Sequence, residues 1–368
     1  MQRLLICAGG TGGGIYPAIA VLEALNTNEI EVLWVGSQNE LDANLVHNAS
    51  DVKFVEIPSA GVHGVGLRTL PGNLIKLAKG FLASRKIIHT FKPDAVFFTG
   101  GYVAVPMSFA AIGIPQIVFV PDIEPGLALQ QITQRAKKIA LSVSASKDYF
   151  KDQSKLIVTG YPTRKHFGNI AKREAKRAFA VSESLPTVLV FGGSRGARSI
   201  NHALLSILPD LIDNAQVIHV TGELDWDLVS AYYEGMSESA RQRYFPYPYL
   251  HKNMPHAMRL ADLVVSRAGA SIIGEYPIMG LPAILVPYPY AWKYQKQNAD
   301  YLVQQGAAIM LADEDLTQKL YATILGVINN PQKMAEMKKN MEKLAHPDAA
   351  GEIAGIISEF TSKRERKS

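Results

Sequence analysis

Residues 4–18, LLICAGGTGGGIYPA, and residues 187–201, TVLVFGGSRGARSIN, each run from a short apolar stretch through a glycine-rich turn into a helix-like segment. Such a turn aims bare backbone N–H groups and the positive end of a helix dipole at one point, which is the chemistry of a phosphate site. The first cluster, Gly9-Gly10-Thr11-Gly12-Gly13-Gly14, is not a P-loop, because no Gly-Lys-Ser/Thr follows it. The dinucleotide spacing also fails, since Ile15 stands where the third glycine belongs, so no redox cofactor is expected. A third turn, Thr99-Gly100-Gly101-Tyr102, follows another apolar run.

Other residue groups carry less. Asp313-Glu314-Asp315 mimics a metal-binding acidic motif, but it directly precedes LTQKL and reads as a helix N-cap. His219 and His251 lack metal-ligand spacing, and no metal is expected. Cys7, the single cysteine, sits in the first apolar run and reads as core, which excludes a disulfide framework and points to a reducing compartment.

These turns need strands to deliver them. LLICAGG, EVLWVG, VKFVEIP, AVFFTGG, QIVFVPD, IALSVS and KLIVTG read as strands in the first half, and TVLVFGG, QVIHVTG, YFPYPYL, LVVSRAG, AILVPYP and AAIML in the second. Short, nearly continuous apolar strands separated by helices predict parallel sheets covered on both faces. The 368 residues suffice for two such α/β domains. We place their boundary at the GYPT interruption: residues 1–163 form an N-terminal domain, 164–345 a C-terminal domain, and 346–368 a final helix near 349–360 with a charged tail. Two doubly wound domains facing a cleft bind ligands at the carboxyl ends of their strands.

The net charge is +5, unevenly spread. Between Glu56 and Asp94 there is no acid, while Arg68, Lys76, Lys79, Arg85, Lys86 and Lys92 all fall there. Leu74, Leu77, Ala78, Phe81 and Leu82 recur among them at helical spacing. Two readings stand: a helix packed on a sheet with a solvated basic face, or a patch resting on an anionic membrane. No nucleic-acid motif accompanies the charge, so nucleic acid is not an expected partner. The N-terminal apolar run is too short for a signal peptide, and no stretch approaches a spanning helix.

GGTGGGIYPAIAV, FFTGGYVAVP, TGYPTR, FGGSRGARSIN, SRAGASIIGE and GLPAILVPYP, in that order and spacing, resemble the MurG family of UDP-N-acetylglucosamine transferases, glycosyltransferase family 28. The resemblance spans roughly residues 1–310. It implies a GT-B fold of two Rossmann-like domains, no metal, and inverting transfer of N-acetylglucosamine from UDP-N-acetylglucosamine to a polyprenyl-diphosphate lipid acceptor, lipid I becoming lipid II. The place implied is the cytoplasmic face of the membrane, held peripherally.

Carried over residue by residue, the resemblance implies that Gly193, Ser194 and Arg195 hold the donor diphosphate with Arg164 near it. Leu250 lends backbone groups to the uracil edge, Glu275 accepts from the ribose hydroxyls, and Gln295 and Asn298 read the sugar. Thr11, Gly12, Gly13, Gly101 and Tyr102 belong to the glycine turns of the first half. A glutamate beginning a helix has a structural explanation as well as a ligand-binding one.

The departures bear on catalysis. Gly14 stands where the family usually has the histidine closing the first glycine turn, and Phe119-Val120-Pro121-Asp122 replaces the usual His-Glu-Gln-Asn. A proton acceptor is thereby lost, and Asp122, a carboxylate in place of a neutral amide, is the candidate general base. Glu124 and His63 are weaker candidates, with a solvated loop residue the alternative for each. Rival functions are a same-fold transferase with another lipid acceptor such as diacylglycerol, a protein that binds UDP-sugar without turnover, and a UDP-sugar epimerase.

Overall fold

A computed structural model describes residues 1–10, 12–38, 40–61, 68–165, 167–193 and 196–362. It divides into two compact units, Met1–Lys165 with His346–Ser368, and His166–Ala345. All thirteen strands read from the sequence are present.

The first unit contains β1 (Gln2–Cys7), β2 (Ile30–Ser37), β3 (Lys53–Ile57), β4 (Ala95–Phe98), β5 (Gln116–Val120), β6 (Lys138–Leu141) and β7 (Leu156–Val158). They form one parallel sheet ordered β3-β2-β1-β4-β5-β6-β7. The central strands are buried on both faces, with Ile6 beside Trp34 on one side and Phe97 on the other. That explains their nearly unbroken apolar sequence. Cys7 is core as expected, and burial raises its thiol pKa well above the ordinary range.

The second unit repeats the plan with β8 (Thr187–Phe191), β9 (Gln216–Val220), β10 (Tyr244–Tyr247), β11 (Leu263–Ser266), β12 (Ala283–Leu285) and β13 (Ala308–Met310). Their order is β10-β9-β8-β11-β12-β13, again parallel. In both sheets the strand order reverses beside the first strand, between β1 and β4 and between β8 and β11. Loops leaving the carboxyl ends at such a reversal are where open α/β sheets bind ligands.

Three helices matter for the first unit: α1 (Gly12–Ala24), α2 (Glu40–Ala49) and α3 (Leu70–Phe91). The last helix, Ala349–Thr361, packs on α1, β1 and β4, and the Thr361 hydroxyl donates to Gln2 Oε1 at 2.9 Å. The apolar stripe of α3 is only partly covered: Leu77 and Phe81 are half-buried, while Leu74 and Leu82, with Ile75 beside them, are 52%, 66% and 57% exposed. The helix instead seats its small residues, Gly80 and Ser84, where a Cβ on Gly80 would strike the Pro58 carbonyl.

Candidate functional site

In the first unit, the two glycine turns of the sequence meet at the strand-order reversal. The turn after β1 touches the turn after β4 so closely that a Cβ on Gly101 would overlap the Gly9 backbone, and Gly101 has φ +86°. Only glycine serves at such a position. Four side chains fix the first turn. Trp34 Nε1 donates to Ala8 O at 3.1 Å, Thr99 Oγ1 donates to Gly14 O at 2.6 Å, Tyr161 Oη donates to Gly13 O at 3.4 Å, and Asp42 accepts from Gly10 N–H at 3.0 Å. Gly12, Gly13 and Gly14 form the first turn of α1. Tyr102 is exposed and its ring covers Gly61.

Asp122 is half-buried in the loop that follows β5, the neighbour of β4. That loop is tied at both ends. The Ser142 hydroxyl donates to Val120 O at 3.0 Å and Pro121 O at 2.9 Å, and Gln130 Nε2 donates to Pro125 O at 2.9 Å. Glu124, for which a solvated position was the alternative, is instead only 5% exposed. Its neighbours Ile123 and Pro125 are buried with it, so the loop folds inward on this side. Thr11 and His63 lie outside the described residues.

Arg164 belongs to the first unit, where its guanidinium lies over the Tyr16 ring, 4.6 Å from the centroid. This is a cation–π contact.

The second unit builds its glycine turn differently. Gly193 has φ +94° and nothing within 4 Å of an added Cβ, and its carbonyl accepts from Gly196 N–H at 3.0 Å. Ser194 and Arg195 lie outside the described residues. The helix that follows, Arg198–Leu211, is anchored by a polar chain that the sequence did not reveal. Arg198 Nε donates to Asp225 Oδ1 at 2.9 Å, Asn201 Nδ2 donates to Asp225 Oδ2 and to Thr221 O, both at 2.9 Å, and His219 Nε2 lies 3.0 Å from Asn201 Oδ1. His219 Nδ1 lies 2.8 Å from Tyr244 Oη. The amide oxygen of Asn201 can only accept, so Nε2 carries the proton and Nδ1 accepts from the tyrosine. A Cβ on Gly196 would strike Thr221 O, so this chain ends directly under the glycine turn.

Burial pushes the His219 pKa down to about 3, against a weaker opposing pull from Asp225. A histidine neutral when folded and near 6.5 when unfolded stabilises fully above pH 6.5, and that stability is lost as pH falls from 6.5 towards 3. Urea unfolding between pH 7 and 4 should therefore lose up to about 1.4 kcal/mol per pH unit from this residue. His219→Gln should flatten the slope by about one proton, and equal slopes in parent and variant would refute the assignment.

The turn after β11 holds Arg267, Ala268, Gly269 and Ala270. Gln295 Oε1 accepts from Tyr288 N–H at 2.8 Å and Ala268 N–H at 3.3 Å, and Asn298 Nδ2 donates to Ala268 O at 3.1 Å. Asn298 is fully buried, so it braces this turn. Glu275 is half-buried in the first turn of helix Ile272–Met279, which begins just beyond. Arg267 donates to Asp313 Oδ1 at 2.5 Å and to Ser199 Oγ at 2.8 Å. The acidic segment does start the helix, with Asp315 at its N-cap position but without a side-chain cap bond, while the Asp313 carboxylate is the ion-pair partner of Arg267. Leu250 is buried ahead of His251, whose φ of +37° is unusual for a side-chain-bearing residue.

Among the described residues, no group of three or more His, Cys, Asp or Glu is arranged to hold a metal ion.

The glycosyltransferase family 28 N-terminal domain model matches residues 4–155, and the C-terminal domain model of that family matches residues 187–353. A UDP-N-acetylglucosamine–N-acetylmuramyl-(pentapeptide) pyrophosphoryl-undecaprenol N-acetylglucosamine transferase of Roseiflexus sp. (strain RS-1) is 37% identical over 99% of this chain and 96% of its own length. The protein of that name in Bacillus subtilis (strain 168) is 33% identical over 98% and 99%. The crystal structure of Acinetobacter baumannii MurG superposes with a TM-score of 0.74 at 24% identity, covering 98% of this chain and 100% of that one. A UDP-GlcNAc 2-epimerase from Neisseria meningitidis bound to UDP-GlcNAc superposes at 0.68 with 15% identity over 99% and 100%. These superpositions define the fold, which transferases and epimerases share. Sequence similarity separates the two.

Proposed function

The chain belongs to glycosyltransferase family 28, and from that premise we propose that it moves N-acetylglucosamine from UDP-N-acetylglucosamine to a polyprenyl-diphosphate-linked acceptor, converting lipid I to lipid II in peptidoglycan synthesis. It is a UDP-N-acetylglucosamine-dependent hexosyltransferase. The observation that carries this reading is the match of both halves to the family, joined with full-length similarity to transferases of that name.

The donor belongs to the second unit. Its glycine turn, with Gly193, Ser194 and Arg195, meets the diphosphate, and Arg164 is assigned to the same charge. Glu275 accepts from the ribose hydroxyls, and the backbone at Leu250 meets the uracil edge. Gln295 reads the sugar, while Asn298 acts on it through the Ala268 turn that it braces. The acceptor belongs to the first unit, at the paired turns of Gly12–Gly14 and Gly101–Tyr102, with Thr11 immediately before Gly12 in sequence. Asp122 takes the proton of the attacking hydroxyl as it displaces UDP in line, and N–H groups aimed at the departing diphosphate stabilise its growing charge.

Incubation of the purified chain with UDP-N-acetylglucosamine and lipid I should release UDP and form lipid II in equal amounts. Transfer to diacylglycerol, 2-epimerisation, or UDP-sugar binding without turnover would each overturn the reading in favour of a named rival.

The same reading places the enzyme peripherally on the cytoplasmic face of the membrane. No described helix is long and apolar enough to cross one. Support comes from α3, which exposes Leu74, Ile75 and Leu82 in a segment rich in Lys and Arg and free of acids. Reversing Lys76, Lys79 and Lys86 to Glu together should abolish sedimentation with anionic vesicles, since each basic residue near such a surface contributes about 1 kcal/mol. Parent binding should weaken with salt, and UDP affinity should stay unchanged. A triple variant that sediments as well as the parent would leave α3 with a merely solvated basic face.

A further inference from the structure

Asp42 belongs to none of the motifs, yet it is fully buried beneath the first glycine turn. It stands on α2, in the βα unit next to the one that carries the turn. Both carboxylate oxygens accept from Gly10 N–H at 3.0 Å, and Oδ2 also accepts from Ser37 N–H at 3.1 Å and from the Ser37 hydroxyl. A Cβ on Gly9 would overlap Oδ2, so the turn is shaped around this carboxylate. The three donors are two main-chain amides and one hydroxyl, all from the carboxyl ends of β1 and β2.

We infer that Asp42 is a positioning residue for the acceptor: its carboxylate latches the β1–α1 turn to the β2–α2 turn and holds the acceptor-side glycines in their binding conformation. Two features make this more than general packing. First, the latch consumes the Gly10 N–H, so that amide serves the protein internally and an acceptor diphosphate must be met by the rest of the turn. Second, the two glycine turns, alike in sequence, are braced by opposite means. The second unit's buried acid, Asp225, is paired with Arg198, whereas the donors to Asp42 among the described residues are neutral amides and a hydroxyl. The inference rests on reading the first unit as the acceptor side.

Asp42→Ala and Asp42→Asn test it on the full-length chain. Asn keeps the shape and can still accept from Ser37, but it presents an NH2 to Gly10 N–H at one of two contact positions. Acceptor KM should therefore rise in the order parent, Asn, Ala, by about tenfold or more for Ala, the loss of one or two charge-assisted hydrogen bonds. The KM for UDP-N-acetylglucosamine should stay within twofold. Amide hydrogen exchange of the peptide covering residues 4–16 should accelerate in the same order, with peptides of 187–201 unchanged. A merely structural role would lower the active fraction without splitting the two KM values. Equal acceptor KM and equal exchange in parent and Asn variant would overturn the latch. A parent that transfers nothing to lipid I counts against the transferase reading alone, and the exchange measurement then decides the latch.

Discussion

Asp122→Asn lowers turnover by about 10²- to 10⁴-fold, the range that a general base supplies, with donor affinity nearly unchanged. The substitution keeps the side-chain shape and removes the basicity. The loop that carries Asp122 is tied by Ser142 at one end and Gln130 at the other, so its backbone is held in place before substrate arrives. Steady-state rates with lipid I, beside UDP titration calorimetry on the same samples, check the split between kcat and binding. A variant that matches the parent's rate removes Asp122 from the proton transfer. Gly14→His is the companion measurement. Gly14 lies inside α1, and an added Cβ there would meet Thr99 O at 3.6 Å and Gly9 O at 3.8 Å, ordinary van der Waals contact, so the position has room for a Cβ. If activity rises with His at this position and ignores Asp122, the chain works as a weakened form of the usual family enzyme. If Gly14→His leaves the rate unchanged and Asp122→Asn removes it, the base has moved from the turn after β1 to the loop after β5, two strands along the sheet.

Glu275→Ala weakens UDP by about 100-fold or more. Two ribose hydroxyls would lose a charged acceptor, and each such bond is worth about 1.5–3 kcal/mol. Helix Ile272–Met279 is otherwise apolar and buried along its length, so this half-buried carboxylate has a role its neighbours cannot share. Glu275→Gln should recover part of the loss, because the amide oxygen still accepts. Unchanged UDP affinity in the Ala variant would return Glu275 to the structural role that its place at a helix start also permits.

The strands were legible because doubly buried parallel strands must be apolar throughout, and the glycine turns because no other residue adopts their backbone. Membership of the family was legible from six motifs in order. What escaped was whatever depends on partners far apart in sequence. Asp42 and Gly10 are 32 residues apart, and Arg267 and Asp313 are 46 apart. Local grammar places the acidic segment 313–315 at a helix start, as Asp315 confirms, and only the fold reveals the arginine paired with Asp313. His219 looked like one more apolar-strand residue until its two nitrogens met Tyr244 and Asn201. The stripe on α3 showed the opposite failure: helical periodicity marks an apolar face without saying what covers it.

The final helix carries a consequence for biosynthesis. Because Ala349–Thr361 packs on α1, β1 and β4, the second unit is an insertion within the first, and the first cannot close until residues made after the whole insertion have emerged. Ile353 and Ile357 are fully buried in that closure. A nascent chain stopped shortly after residue 345 would thus hold a complete second unit and a first unit whose α1, the helix that carries the first glycine turn, is stripped of its cover. Quality control by proteolysis would find its target there, and the order of synthesis makes the first glycine turn the last of the two to be secured.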